Sequence, residues 1–254
     1  MKKKSQLVGL VLGIPALAML PGCASINNVE DVTVDKVAYQ AKHFSSQRLA
    51  PSLARKLPVP PPGPAAAKLV IVGEMTSEGS DGKKETWTSE ITYTNAGQGL
   101  VQKMEEESNN GIPYLLTYSL SYLGLLDLRW QHVPLRSRTT RMMFEVNDIS
   151  RFDPLPLSGS GEAVIEYRSG SEAQIANFIP VRRTCTATRT MQASALHAKL
   201  AGMATELECT NIMNNVPQSR GKWVFLRDYG TAVLMETTNS AYKKTYRIVD
   251  VKTS

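Results

Sequence analysis

The sequence predicts a mainly β protein. Its body reads as about ten antiparallel strands, arranged either as two lobes or as one open, curved sheet approaching a partial barrel. Three observations carry this. Short runs rich in Val, Ile, Thr and aromatic residues recur from Lys68 onward. Several of them alternate apolar and polar residues with period two, the pattern of a strand with one buried face. Between the runs stand turn signals such as Asn109-Asn110-Gly111 and Asn214-Asn215.

Ahead of the strands lies a different composition. Lys2, Lys3 and Lys4 precede an apolar run from Leu7 to Leu20, which ends in Leu20-Pro21-Gly22-Cys23. A basic start, a short apolar segment and small residues before a cleavage point make a secretory signal peptide. The run holds about 14 residues, short of the ~18–20 that a helix needs to cross a bilayer. Leu20-Pro21-Gly22-Cys23 resembles the lipobox of bacterial lipoproteins. The resemblance implies a signal peptide over residues 1–22, a lipid on Cys23 and a membrane held through that lipid. Ala24 after the cysteine implies the outer membrane, with the protein facing the periplasm.

From Ala24 to Leu57 the chain is mixed and polar, with a helical turn or two expected around Val37 to Gln47. Pro58-Val59-Pro60-Pro61-Pro62-Gly63-Pro64 follows. Proline fixes φ and removes a donor, so this stretch reads as extended chain at ~3.1 Å per residue. Residues 23–64 are therefore read as a lipid-anchored tether with a proline-rich spacer, and 65–254 as the β-rich domain.

Within that domain Lys68 to Gly73 is a short β-branched strand. Glu85 to Asn95 places Trp87, Ser89, Ile91 and Tyr93 on one face and threonines with Glu90 on the other. Leu100 to Glu107 is its hairpin partner across Asn95–Gly99. Ile112 to Trp130 is the most apolar part of the mature chain, and Gly124 is placed to divide it into two strands. Tyr114, Tyr118, Tyr122 and Trp130 within it read first as core and second as an apolar contact patch for lipid or a partner. Met142 to Val146 is a strand, and the loop through Asp153-Pro154 and Ser158-Gly159-Ser160-Gly161 is the clearest internal break. It separates candidate sub-lobes 65–152 and 160–254. Strands follow at Glu162–Arg168, Ala173–Thr190, Met203–Cys209, Lys222–Leu226, Thr231–Thr237 and Tyr242–Val251. Met191 to Leu200 reads equally as a short helix or as continued strand. Gly99-Leu100-Val101-Gln102-Lys103-Met104-Glu105 has an echo in Gly230-Thr231-Ala232-Val233-Leu234-Met235-Glu236, each placed after a turn.

Removing the leader takes three of the 29 basic residues and none of the 23 acidic ones, lowering the formal charge from +6 to +3. The basic balance is thus partly a property of the leader and argues against a nucleic-acid partner. With Cys23 assigned to lipid, Cys185 and Cys209 are left as an even pair in a compartment that permits disulfides. A bridge closing a loop of roughly 25 residues contributes about 3 kcal/mol in the chain-entropy model. A metal site recruiting His197 is the weaker alternative, because no paired ligand spacing supports it.

No catalytic motif stands out. His43, His132 and His197 are far apart, Ser158-Gly159-Ser160-Gly161 lacks the G-x-S-x-G elbow, and no phosphate loop, calcium loop or H-E-x-x-H is present. Neither a cofactor nor a metal is expected. Three functions are carried forward in order: a non-catalytic envelope lipoprotein that binds another envelope protein, a carrier or receptor for an amphiphile with an apolar cavity, and an envelope hydrolase.

Overall fold

The computed structural model describes residues 28–61 and 66–253. The signal peptide and Cys23 lie outside the described residues. Twelve antiparallel strands follow one another around a closed barrel, so there are more strands than expected and the sheet closes completely. They are β1 Lys68–Gly79, β2 Lys84–Gly97, β3 Leu100–Asn109, β4 Ile112–Tyr122, β5 Leu126–Pro134 and β6 Phe144–Phe152. The second six are β7 Glu162–Ser171, β8 Ile179–Gln192, β9 Met203–Met213, β10 Val216–Leu226, β11 Thr231–Thr238 and β12 Tyr242–Thr253. Each pairs with its neighbours in sequence, and β1 meets β12 from Leu69↔Thr253 to Gly79↔Tyr242. Closure is the physical remedy for unpaired strand edges.

Local chemistry explains the strands. In β2 the predicted inward set, Trp87, Ser89, Ile91 and Tyr93, is buried, while Thr86, Thr88 and Glu90 are exposed. Asn110 and Gly111 both take positive φ, the geometry of a tight two-residue hairpin, and Asn214 with Asn215 repeat it between β9 and β10. The apolar stretch 112–130 divides at Leu123 and Gly124, again both at positive φ. After Gln192 the chain leaves β8 for a 3₁₀ turn over Ala193–Ala195.

The sheet is apolar on both faces where a simple barrel is apolar on one. Neighbouring residues, which point to opposite faces of a strand, fall in two separate clusters. Leu100, Phe225 and Ala232 belong to one, and Val101, Val224 and Val233 to the other. Residues 28–61 cover much of the first cluster. They form α1 Val29–Thr33, α2 Lys36–His43 and α3 Pro51–Ala54, with Asn28 capping α1 and Asp35 capping α2 through the Ala38 N–H. Val32 and Phe44 are buried against Tyr118 of β4, and Leu53, whose helix contacts β6, is buried in the same cluster. The Tyr118 hydroxyl donates to Val32 O at 3.3 Å and the Tyr122 hydroxyl to Pro58 O at 3.0 Å. The Phe44 and Tyr118 rings stack at 5.6 Å. This segment is thus part of the core, and Pro58 and its neighbours lie on the barrel wall.

Two seams interrupt the otherwise long ladders. β5 and β6 pair only at Arg129↔Glu145 and Trp130↔Phe144. β11 and β12 pair only at Glu236↔Thr245, Thr237↔Lys244 and Thr238↔Lys243. The seams separate the strands into two runs of six, β12 with β1–β5 and β6–β11.

Candidate functional site

The tip of the β4–β5 hairpin holds the starts of two distant strands together. The Leu123 N–H donates to Gly99 O at 2.7 Å, just before β3, and Leu123 O accepts from the Ala232 N–H at 2.8 Å, in β11. Gly124 makes the approach feasible. A Cβ there would lie 2.2 Å from Thr231 Oγ1 and 2.8 Å from Ala232 O, at a φ of +67°. Around this junction opens a cavity of ≈ 400 Å³, partly open to solvent. Pro60 and Pro61, the β2–β3 turn, Leu123, the loop at Leu157–Ser158 and the β10–β11 connection with Phe225 and Arg227 form its walls. Its size falls in the range of small-molecule sites, about 300–1,000 Å³.

Arg227 is the only charged residue among the described walls of this cavity. It opens a 3₁₀ turn, Arg227–Tyr229, that ends at Gly230 in the left-handed region. Its Nη2 donates to Leu157 O at 2.9 Å and to Thr205 Oγ1 at 3.3 Å, and Thr205 itself donates to Leu157 O. Both acceptors are neutral, and no carboxylate pairs with Arg227 among the described residues. Its buried Nε has no acceptor. A guanidinium offers five donors in a fixed fork, so much of its capacity is unused.

A second, narrow space of ≈ 60 Å³ lies along the β11–β12 seam, between Tyr93, Lys103, Glu105, Trp223 and Tyr246. It is too small for an organic ligand. Lys103 and Glu105 stand 3.7 Å apart with side chains 16% and 13% exposed, and Ser89 donates to Glu105 at 2.9 Å. Burial acts to lower the Lys103 ammonium, but Asp127 and Glu105 outweigh it and raise its pKa. Burial pushes the Tyr93 phenol far up, and Glu105 adds to the effect. Lys103 and Glu105 are thus an interior ion pair rather than an open site.

The residues singled out by sequence fall elsewhere. Cys185 and Cys209 stand opposite one another on β8 and β9 and are joined by a disulfide, which leaves neither for a metal. Tyr118 and Tyr122 are buried beneath residues 28–61. Tyr114 donates to Glu107, and Trp130 stacks on Phe144 at 5.6 Å. Tyr118 and Tyr122 are therefore core rather than a surface patch, because the helical segment covers them, whereas Tyr114 and Trp130 stay half-buried and occupied by Glu107 and Phe144.

The three histidines are also dispersed. His43 lies on the Tyr39 ring, with centroids 4.4 Å apart. His132 Nδ1 is 3.0 Å from Thr117 Oγ1, its pKa lowered by burial against the pull of Asp127. His197 accepts from the Lys199 N–H. None of them lines the principal cavity.

Sequence reasoning missed Leu123, Leu157, Phe225 and Arg227. One signal pointed to the place: the echoed segments begin at Gly99 and Gly230, and both glycines line the cavity.

No family model matches the sequence, and no curated protein matches it. Among solved structures the fold is similar to the crystal structure of a β-barrel-like protein of a domain of unknown function, DUF1849, from Brucella abortus. That similarity has a TM-score of 0.39 and 8% sequence identity, over 76% of this chain and 100% of that chain.

Proposed function

We propose that this protein is a lipid-anchored envelope module that binds a small amphiphile at the barrel end. One observation carries the binding half: a partly open cavity of ≈ 400 Å³, more apolar than polar, walled by Leu100, Leu123, Leu157 and Phe225 and bearing a single charge among its described walls. Apolar walls with few polar groups are the usual composition of a small-molecule pocket. The anchoring half rests on Leu20-Pro21-Gly22-Cys23. In this reading Cys23 carries the lipid, the protein sits on the outer membrane facing the periplasm, and the cavity performs binding rather than catalysis.

The geometry favours this reading over a protein-docking module. Aliphatic side chains that remain exposed, such as Val59, Ile112, Ile175 and Val216, come from separate loops and strands, whereas the cavity gathers its apolar residues at one place. One experiment tests both halves. Replacing Cys23 with serine should move the protein out of the membrane fraction, and native mass spectrometry of the released protein should show a bound amphiphile. Unchanged membrane retention and processing would overturn the anchor. A bare protein that takes up no added amphiphile would overturn the carrier.

A further inference from the structure

We infer that the cavity is selective for a single-chain amphiphile with an anionic head, held by Arg227. The inference rests on the carrier reading and goes beyond it by assigning the head-group chemistry and the residue that reads it.

The apolar walls account for a hydrocarbon chain. They give no reason for a guanidinium. Arginine can serve as a structural cross-link, and Arg227 does so in part by holding Leu157 O and Thr205 Oγ1. For that task its charge is unnecessary, since both acceptors are neutral. Two buried cations are matched by acids, Arg129 by Glu145 and Glu172 and Lys103 by Glu105, whereas Arg183, which does not line the cavity, is held like Arg227 by neutral acceptors, Asn211 Oδ1 and Leu125 O. Arg227 forms no ion pair among the described residues, lines the cavity, and keeps a buried Nε without an acceptor, as Arg129 also does. A cation at an apolar wall attracts whatever anion can enter, and a guanidinium accepts a carboxylate or phosphate through two parallel hydrogen bonds. The ligand that answers both halves of the site carries one alkyl chain and one anionic group. Ser158, beside Leu157, is the hydroxyl-bearing side chain among the described walls of the cavity and could serve a remaining head-group oxygen.

The test compares dodecanoate, dodecyl phosphate and dodecanol, titrated calorimetrically into the detergent-free full chain below their critical micelle concentrations. Dodecanoate should bind at least about tenfold more tightly than dodecanol, the factor expected from one charge-assisted hydrogen bond. Arg227→Gln should erase that gap, read as the ratio of dodecanoate to dodecanol affinity within the same variant, and Arg227→Lys should retain part of it. The phosphate arm tells which anionic head is preferred, and either preference over the alcohol supports the inference.

Equal binding of all three by the unaltered protein would overturn the inference and leave the carrier reading standing. So would a gap that survives Arg227→Gln. If none of the three binds, the carrier reading itself falls and this inference with it. Because the comparison within the unaltered chain is decisive alone, failure of a variant to fold does not protect the proposal.

Discussion

The two seams of the barrel are both short on backbone pairing and are closed by different means. At β5–β6 the gap is covered from outside the strand order. Arg129, whose side chain is 7% exposed, links Glu145 of β6 and Glu172 beyond β7, and Trp130 stacks on Phe144. Nearby, Tyr39 of α2 donates to Gln131 of β5 at 2.6 Å, and Lys56 beyond α3 pairs with Asp148 of β6. At β11–β12 none of the described α-helices takes part. The strands themselves supply the cover: Val233 of β11 clusters with Leu69, Ile71, Ile248 and Val251 of β1 and β12, while Ala232 binds the hairpin tip through its backbone. A missing ladder is therefore replaced by side-chain ion pairs and a packed helical segment in one place, and by overlapping apolar strands in the other.

The largest expected effect lies at the first seam. Tyr118→Ala removes a fully buried ring that holds Phe44 and the Val32 carbonyl and should cost about 3–5 kcal/mol. Hydrogen exchange should quicken across residues 28–61, β4 and β5 while β1 and β12 stay protected. Uniform loss of protection would show that the two closures are not separate.

Gly73→Ala addresses the other side. A Cβ at Gly73 would stand 2.2 Å from Tyr246 Cζ, and such overpacking typically costs about 1–3 kcal/mol. The expected readout is faster exchange in β11 and β12 with residues 28–61 unaffected. Exchange confined to the helices would reverse the assignment.

The smallest effect is alkaline. Burial pushes Tyr122 up to about 12, against roughly 10 in an unfolded chain. The native state then holds a proton that the unfolded state loses, so stability present below pH 10 is lost as pH rises toward 12. Near pH 10.5 the loss from this one phenol is about 1 kcal/mol. Tyr122→Phe should make the alkaline decline in melting temperature correspondingly shallower. An unchanged slope would mean that this hydroxyl, bonded to Pro58 O, is not kept neutral by the covering segment.

The same contrast explains what could be read from sequence. β2 was legible because Trp87, Ser89, Ile91 and Tyr93 point inward while Thr86, Thr88 and Glu90 meet water, so alternation survives in the residue types. The disulfide was legible because parity and compartment constrain cysteines more tightly than packing does. β4 was harder. Its successive residues Tyr118, Ser119, Leu120 and Ser121 are all buried, and a strand covered on both faces loses its period.

Residues 28–61 were hardest. Val32, Phe44 and Leu53 each anchor a helix of eight residues or fewer, too short to establish a 3.6-residue rhythm, and the prolines that follow resemble a linker. The cavity was legible only through the two echoed glycines, because Leu123 and Arg227 reach it by long-range contacts that leave no local pattern.

The pairing of β1 with β12 has a consequence for how the molecule is made. Leu69 must find Thr253, so the first strand waits, with one edge unpaired, until the last has emerged. Loop closure over such a separation is entropically costly and slow. Local hairpins such as β3–β4, turned at Asn110-Gly111, need no such wait. Barrel closure should therefore be a late event in folding, after hairpin formation, and the unclosed chain should remain vulnerable to edge-to-edge association until that final pairing is made.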